Sequence, residues 1–185
     1  MKTMKVVIPG VLTTVQDLGR FGYQKSGMTC SGVMDTAAYR KANYLVGNEE
    51  GAAVLEMTLY GGSCRFEEDT VIALTGADMQ PTVNQKPIAM NQAVKVPAGG
   101  VLNLGMAKTG CRTYLAVAGG FEVPKVMGSY STNLKCGIGG HEGRALQMGG
   151  ELPIGEALHS WDEVKDRKVS VPDYPKEVLI SVVPG

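Results

Sequence analysis

What most restricts the architecture of this chain is a succession of short apolar or alternating runs, cut every 8 to 12 residues or so by glycine-bearing turns. The runs cover residues 4–8, 53–59, 63–66, 70–75, 93–96, 101–104, 112–117 and 178–183. Gly61-Gly62, Gly76-Ala77-Asp78 and Pro97-Ala98-Gly99-Gly100 stand between them. Strands this short and closely spaced pair as an antiparallel barrel or sandwich rather than as alternating βαβ units. Glycine makes up 25 of the 185 residues, about twice its usual share of roughly 7%, and no collagen period accompanies it. One segment only has a helical period. Over 34–46, Met34, Ala38, Ala42, Leu45 and Val46 fall on one stripe, with Asp35 as an N-cap or first-turn carboxylate and Gly47-Asn48 as the stop. The expectation is a mainly β fold with one principal helix over 34–46.

Charge and apolar content then narrow the function. Eighteen basic residues balance eighteen acidic ones and 44% of the chain is hydrophobic. A substantial core can form, and there is no basic field to gather nucleic acid or anionic lipid. Cys30, Cys64, Cys111 and Cys136 form no CxxC pair, which argues against a zinc ribbon or redox dithiol. The apolar run at 6–8 is broken by Pro9-Gly10 and is too short for a secretory signal. No stretch approaches the roughly 18 apolar residues of a membrane span. We therefore expect free thiols, a cytoplasmic location, and neither nucleic-acid nor membrane partners.

Polar residues of chemical interest cluster in the glycine-rich loops. Thr13-Thr14-Val15-Gln16-Asp17 runs into Gly19-Arg20, Tyr23 and then Ser31-Gly32-Val33-Met34-Asp35. Arg20 offers a planar fork for a carboxylate or phosphate, Asp17 and Asp35 can orient it or act as bases, and Ser31 lies just before a helix start. The same residues equally describe a structural Asp17–Arg20 ion pair, an Asp35 cap and a core Tyr23. Within 55–59, period two puts Glu56 and Thr58 on one face and Leu55, Met57 and Leu59 on the other, so Glu56 faces either an interior or solvent. Asp78 ends a strand at a turn. Ser129, Ser131 and Thr132 in one loop, with His141 and Arg144 in the next, supply donors for an anion. Neither loop has P-loop or dinucleotide-binding spacing. With two histidines, His141 and His159, no metal site is expected.

Taken in order, these motifs resemble the allophanate hydrolase subunit 2 family. The match runs from Thr13-Thr14-Val15-Gln16-Asp17 with Gly19-Arg20 and Gly22-Tyr23, through Ser31-Gly32, Met34-Asp35, Leu45-Val46-Gly47-Asn48, Leu55-Glu56 with Thr58-Leu59 and Leu74-Thr75-Gly76-Ala77-Asp78. It continues to Gly128-Ser129 with Ser131-Thr132 and Gly139-Gly140 with Gly143-Arg144-Ala145-Leu146. The resemblance covers the N-terminal part of that family, which includes one of the subunits of bacterial 5-oxoprolinase and biotin-dependent carboxyltransferase regions. It implies a cyclophilin-like β-barrel over 1–153, a connector over 154–176, and the first strand of a second half over 177–185. It implies a non-autonomous subunit of an ATP-dependent complex that opens 5-oxoproline to glutamate, with a subunit-1 protein, a lactam-hydrolysing subunit, and ATP with magnesium at the level of the complex. Within that scheme the catalytic positions are Asp17, Arg20, Asp35 and Glu56. Substrate or ATP contacts fall to Tyr23, Ser31, Asp78, Ser129, Ser131, Thr132, His141 and Arg144. The resemblance also admits a carboxyltransferase for urea or allophanate-type substrates, or a non-catalytic regulator that binds a kinase inhibitor.

Overall fold

The computed structural model describes residues 2–171, 177 and 179–183. In chain order the strands are β1 (Lys2–Ile8), β2 (Leu12–Gln16), β3 (Val54–Thr58), β4 (Tyr60–Phe66), β5 (Thr70–Asp78), β6 (Thr82–Val83), β7 (Lys86–Pro87), β8 (Ala93–Val96), β9 (Val101–Met106), β10 (Thr109–Val117) and β11 (Glu151–Ile154). The helices are α1 (Thr36–Val46) and the one-turn α2 (Trp161–Val164), with a 3₁₀ turn at Gln24–Ser26. The fold is mainly β with one main helix, as expected. Its strands form two antiparallel sheets, ordered β11-β1-β4-β9-β6-β7 and β2-β3-β10-β5-β8. The barrel is not closed.

Period two in the strands sorts side chains into layers. Met4, Val6, Phe66, Leu102 and Leu104 from the first sheet meet Val15, Leu55, Met57, Ile72, Leu74, Leu115 and Val117 from the second in one buried core. The alternate residues of the second sheet, Val54, Ala73, Tyr114 and Ala116, face the other way onto Ala38, Tyr39, Ala42, Leu45 and Val46 of α1. The central strand β10 is thus apolar on both faces, because sheet and helix cover one each. Each large side chain removed from water there contributes about 1.5–3 kcal/mol.

Local chemistry sets the element ends. Asp35 caps α1 by accepting from the Ala38 N–H at 2.9 Å, and Gly47 closes it in the left-handed conformation. Met34, expected on the apolar stripe, precedes the helix and is exposed, and Tyr39 fills the buried position instead. Between β1 and β4 the register shifts at Val6 to Ile8. Gly62, at φ +74°, is required there because a Cβ would stand 2.1 Å from the Ile8 carbonyl.

In the segment expected as a connector, Ile154 is buried in β11, a Ser160/Glu163 capping box starts α2, and Val164 is buried. Residues 172–176 lie outside the described residues. The strand expected over 178–183 is not formed at 179–183, which are exposed and outside any strand, and Val178 lies outside the described residues. Without paired backbone, an alternating apolar sequence does not make a strand. All four cysteines are free; burial pushes the Cys64 thiol up to about 12, which keeps it protonated. Among the described residues no helix is long and apolar enough to cross a membrane.

Candidate functional site

Segments far apart in sequence converge just past the end of β2. The Asp17 carboxylate accepts from the Gly19 N–H at 2.9 Å, the Tyr130 N–H at 2.7 Å, the Ser129 hydroxyl at 2.6 Å and the Ser131 hydroxyl. The Asp17 N–H donates back to the Ser131 oxygen at 3.1 Å. Arg20 donates through Nε to the Val126 carbonyl at 3.0 Å and through Nη2 to the Ser131 carbonyl at 2.8 Å. Thr132 extends the clasp by donating its hydroxyl to the Val15 carbonyl at 2.9 Å. Asp17 and Arg20 make no ion pair with each other; each fastens the 126–131 loop through its own bonds. Arg20 is fully buried, and its Nη1 has no partner among the described residues. Gly139 makes room for this packing, since a Cβ there would lie 2.2 Å from the Ser131 carbonyl and 2.7 Å from Arg20 Nη2.

Glu56 anchors a second cluster, on the helix side of the sheet. Pairing places it between Thr14 of β2 and Tyr114 of β10. Its Oε2 accepts from the Tyr114 hydroxyl and from the Met34 N–H, both at 2.8 Å. The Tyr114 oxygen in turn accepts from the Asp35 N–H at 2.8 Å. Burial, reinforced by the Glu56 and Asp35 charges, pushes the Tyr114 hydroxyl above its ordinary range, so it stays protonated and donates. Arg112 Nε stands 3.5 Å from Glu56 Oε1, an ion pair without an aligned hydrogen bond. Glu56 therefore faces neither the inter-sheet core nor open water. Its side chain keeps 13% of its surface exposed beside the helix start. The two clusters are stitched together by the Val33 N–H on the Asp17 carbonyl at 2.9 Å and the Arg20 N–H on the Cys30 carbonyl at 2.7 Å.

The remaining expected residues lie elsewhere. Tyr23 precedes the 3₁₀ turn and is exposed rather than core, and Ser31 is exposed at φ +54°. Arg144 pairs with its neighbour Glu142, while His141 lies near Gly150 and is bonded to neither cluster. Asp78, at the end of β5, lines a cleft of about 800 Å³ with Gln80, Thr82, Asn91, Lys108 and Thr109 as its polar wall. Tyr114, Arg112 and Lys108 were not anticipated. Tyr114 and Arg112 share period two with each other in β10, and a cross-strand pairing of β3 with β10 would have put both beside Glu56. Nothing in the sequence around Lys108 distinguishes it. Among the described residues no three His, Cys, Asp or Glu side chains converge as a metal cage.

This two-sheet fold with its polar, glycine-lined loops is shared with known proteins. Residues 26–185 match the family described as carboxyltransferase domain, subdomain A and B, and the chain belongs to that family. It is 46% identical over 154 residues to a 5-oxoprolinase subunit of Escherichia coli, covering 83% of this chain and 50% of that protein. It is 38% identical over 182 residues to the Saccharomyces cerevisiae urea amidolyase, covering 98% of this chain and 10% of that one. The solved structure of the Kluyveromyces lactis urea carboxylase superposes with a TM-score of 0.80 at 38% identity, over 93% of this chain and 15% of that one. The chain thus spans half the length of the oxoprolinase subunit and a tenth of the amidolyase.

Proposed function

We propose that this chain acts within a multi-subunit 5-oxoprolinase, a hydrolase that opens 5-oxoproline to glutamate with the hydrolysis of ATP, and that it works there as a non-autonomous cytoplasmic subunit. The observation that carries this is the 46% identity to a 5-oxoprolinase subunit over 83% of the chain. Its partners are a subunit-1 protein and a lactam-hydrolysing subunit. ATP with magnesium is held at the level of that complex; a magnesium ion carried on phosphates requires only one or two protein carboxylates, which fits a chain with single placed carboxylates rather than a cage. In this reading Asp17, Arg20 and the 129–132 loop give the site its rigid floor, and Glu56, flanked by the protonated Tyr114 and by Arg112, is the part-buried carboxylate beside the helix start that Asp35 caps. The similarity to urea amidolyase over 98% of the chain favours, as a second reading, carboxyl transfer to an amide. The test is reconstitution of the protein with its subunit-1 and lactam-hydrolysing partners. ATP-dependent formation of glutamate from 5-oxoproline supports the first reading. Activity that appears only with urea, bicarbonate and a biotin carrier overturns it in favour of the second.

A further inference from the structure

The cleft at the end of β5 is open; its Gln80 amide donates to the Met106 carbonyl at 3.3 Å, while its two charged residues, Asp78 and Lys108, keep bonding capacity that the carboxylates of the two clusters above have spent. Asp78 uses Oδ1 to accept from the Gln80 N–H at 2.8 Å, and its second oxygen has no partner among the described residues. Thr109 of β10 stands opposite Asp78 in register, and the Lys108 N–H donates to the Asp78 carbonyl at 2.8 Å. Asp78 and Lys108 therefore spring from adjacent backbone, and both residues line the cleft. Lys108 has no ion pair among the described residues. The facing wall is apolar and fixed. Pro81, Ile88 and Met90 line it, held by the Ile88 N–H on the Pro81 carbonyl at 3.0 Å and by the Asn91 N–H on the Leu74 carbonyl at 2.8 Å.

A carboxylate acceptor, a cation and an apolar wall in one concavity match a small ring that carries an N–H donor, a carboxylate and a run of methylenes. We propose that this cleft binds a cyclic amide acid of the 5-oxoproline kind, with Asp78 accepting the ring N–H, Lys108 taking the carboxylate, and Pro81, Ile88 and Met90 covering the methylenes. The assignment rests on the oxoprolinase reading above for its ligand class, and on the free groups of the cleft for its place. It also separates the two amide substrates. Urea has N–H donors and no carboxylate, so it leaves Lys108 without a partner.

The test couples binding to turnover. Binding of 5-oxoproline, 2-pyrrolidinone and urea to the isolated chain is followed by NMR shift perturbation, for wild type, Lys108→Gln, Lys108→Arg and Asp78→Asn. KM and kcat are measured with the same variants in the reconstituted complex. A lost charge-assisted contact weakens 5-oxoproline by about tenfold or more in Lys108→Gln, while Lys108→Arg retains it. The Gln variant binds 2-pyrrolidinone as wild type does, Asp78→Asn weakens both lactams, and KM rises with kcat little changed. Wild type that binds both lactams equally overturns the site, as do shifts that map away from residues 78–91. An active complex whose KM ignores both positions overturns the site and leaves the oxoprolinase reading standing. Lys108-dependent binding of 5-oxoproline in an inactive complex does the reverse.

Discussion

Asp17 and Asp78 are both aspartates that follow or end a strand of the same sheet, and the structure treats them oppositely. Asp17 is buried, and donors from residues 19, 129, 130 and 131 converge on it. Asp78 is half-exposed, commits one oxygen to its own turn and presents the other to a cleft. A carboxylate saturated by protein donors has no acceptor left to offer a ligand, so its contribution is to shape; an undersaturated one at a concave surface retains its capacity to bind. The contrast breaks most sharply at Asp17→Ala, which strands several buried donors and should cost about 4 kcal/mol in urea unfolding. An equal loss from Asp78→Ala would erase the distinction. Gly139→Ala should follow at about 3 kcal/mol, since it combines an unfavourable left-handed conformation with a collision against the Ser131 carbonyl and Arg20. Both effects should appear as lower denaturation midpoints with unchanged slopes.

Between those extremes lies Glu56, part-buried and part-satisfied. Tyr114→Phe removes the hydroxyl that joins Glu56 to the Asp35 N–H and so to the start of α1. The expected cost is about 1–2 kcal/mol, with α1 loosened selectively. Hydrogen exchange should speed at Asp35 and Ala38 while the inter-sheet core holds. Uniform acceleration across both sheets would mean that Tyr114 serves the global fold and not the helix junction.

Much of this arrangement was legible in the residues. The two-residue alternation of 112–117 and the Asp35 and Gly47 signals placed β10 and α1 with little error, because local chemistry decides them. β2 was not legible: Thr13, Thr14 and Gln16 are polar, and they become a strand by pairing with β3 from Leu12 to Gln16, under the cover of the 130–133 and 145–146 segments, Thr132 and Leu146 donating to the Val15 and Thr13 carbonyls. β11 was hidden by Pro153, which is tolerated because the strand sits at a sheet edge. The β6–β7 hairpin turns on Asn84 and Gln85, both at positive φ, without the glycine that usually announces such a turn. The grouping of Asp17 with Ser129 and Ser131 joins positions more than a hundred apart, and the resemblance named the residues without giving their contacts.

Asp17 differs from Asp78 in burial and in saturation at once, and Glu163 separates the two variables. Its carboxylate is close to Asp17 in saturation, accepting from the Ser160 N–H and hydroxyl at 2.8 Å each and standing 3.3 Å from His159 Nδ1 against four donors on Asp17, yet it lies on the surface. The Ser160 backbone N–H, then its hydroxyl and His159, hold the carboxyl down from its ordinary 4.5 to about 2. A carboxyl depressed in the folded state stabilises it fully above the unfolded value and loses that contribution as pH falls through the folded one. Glu163→Gln should therefore lower the urea midpoint only slightly at pH 7, less than any substitution above because solvent screens the group, and the gap from wild type should close as pH falls from about 4.5 towards 2. If the gap matches that of Tyr114→Phe, saturation by donors outweighs burial, and the separation drawn between Asp17 and Asp78 rests on hydrogen bonding alone. If it is small and pH-dependent in the stated sense, burial is what turns a saturated carboxylate into part of the architecture.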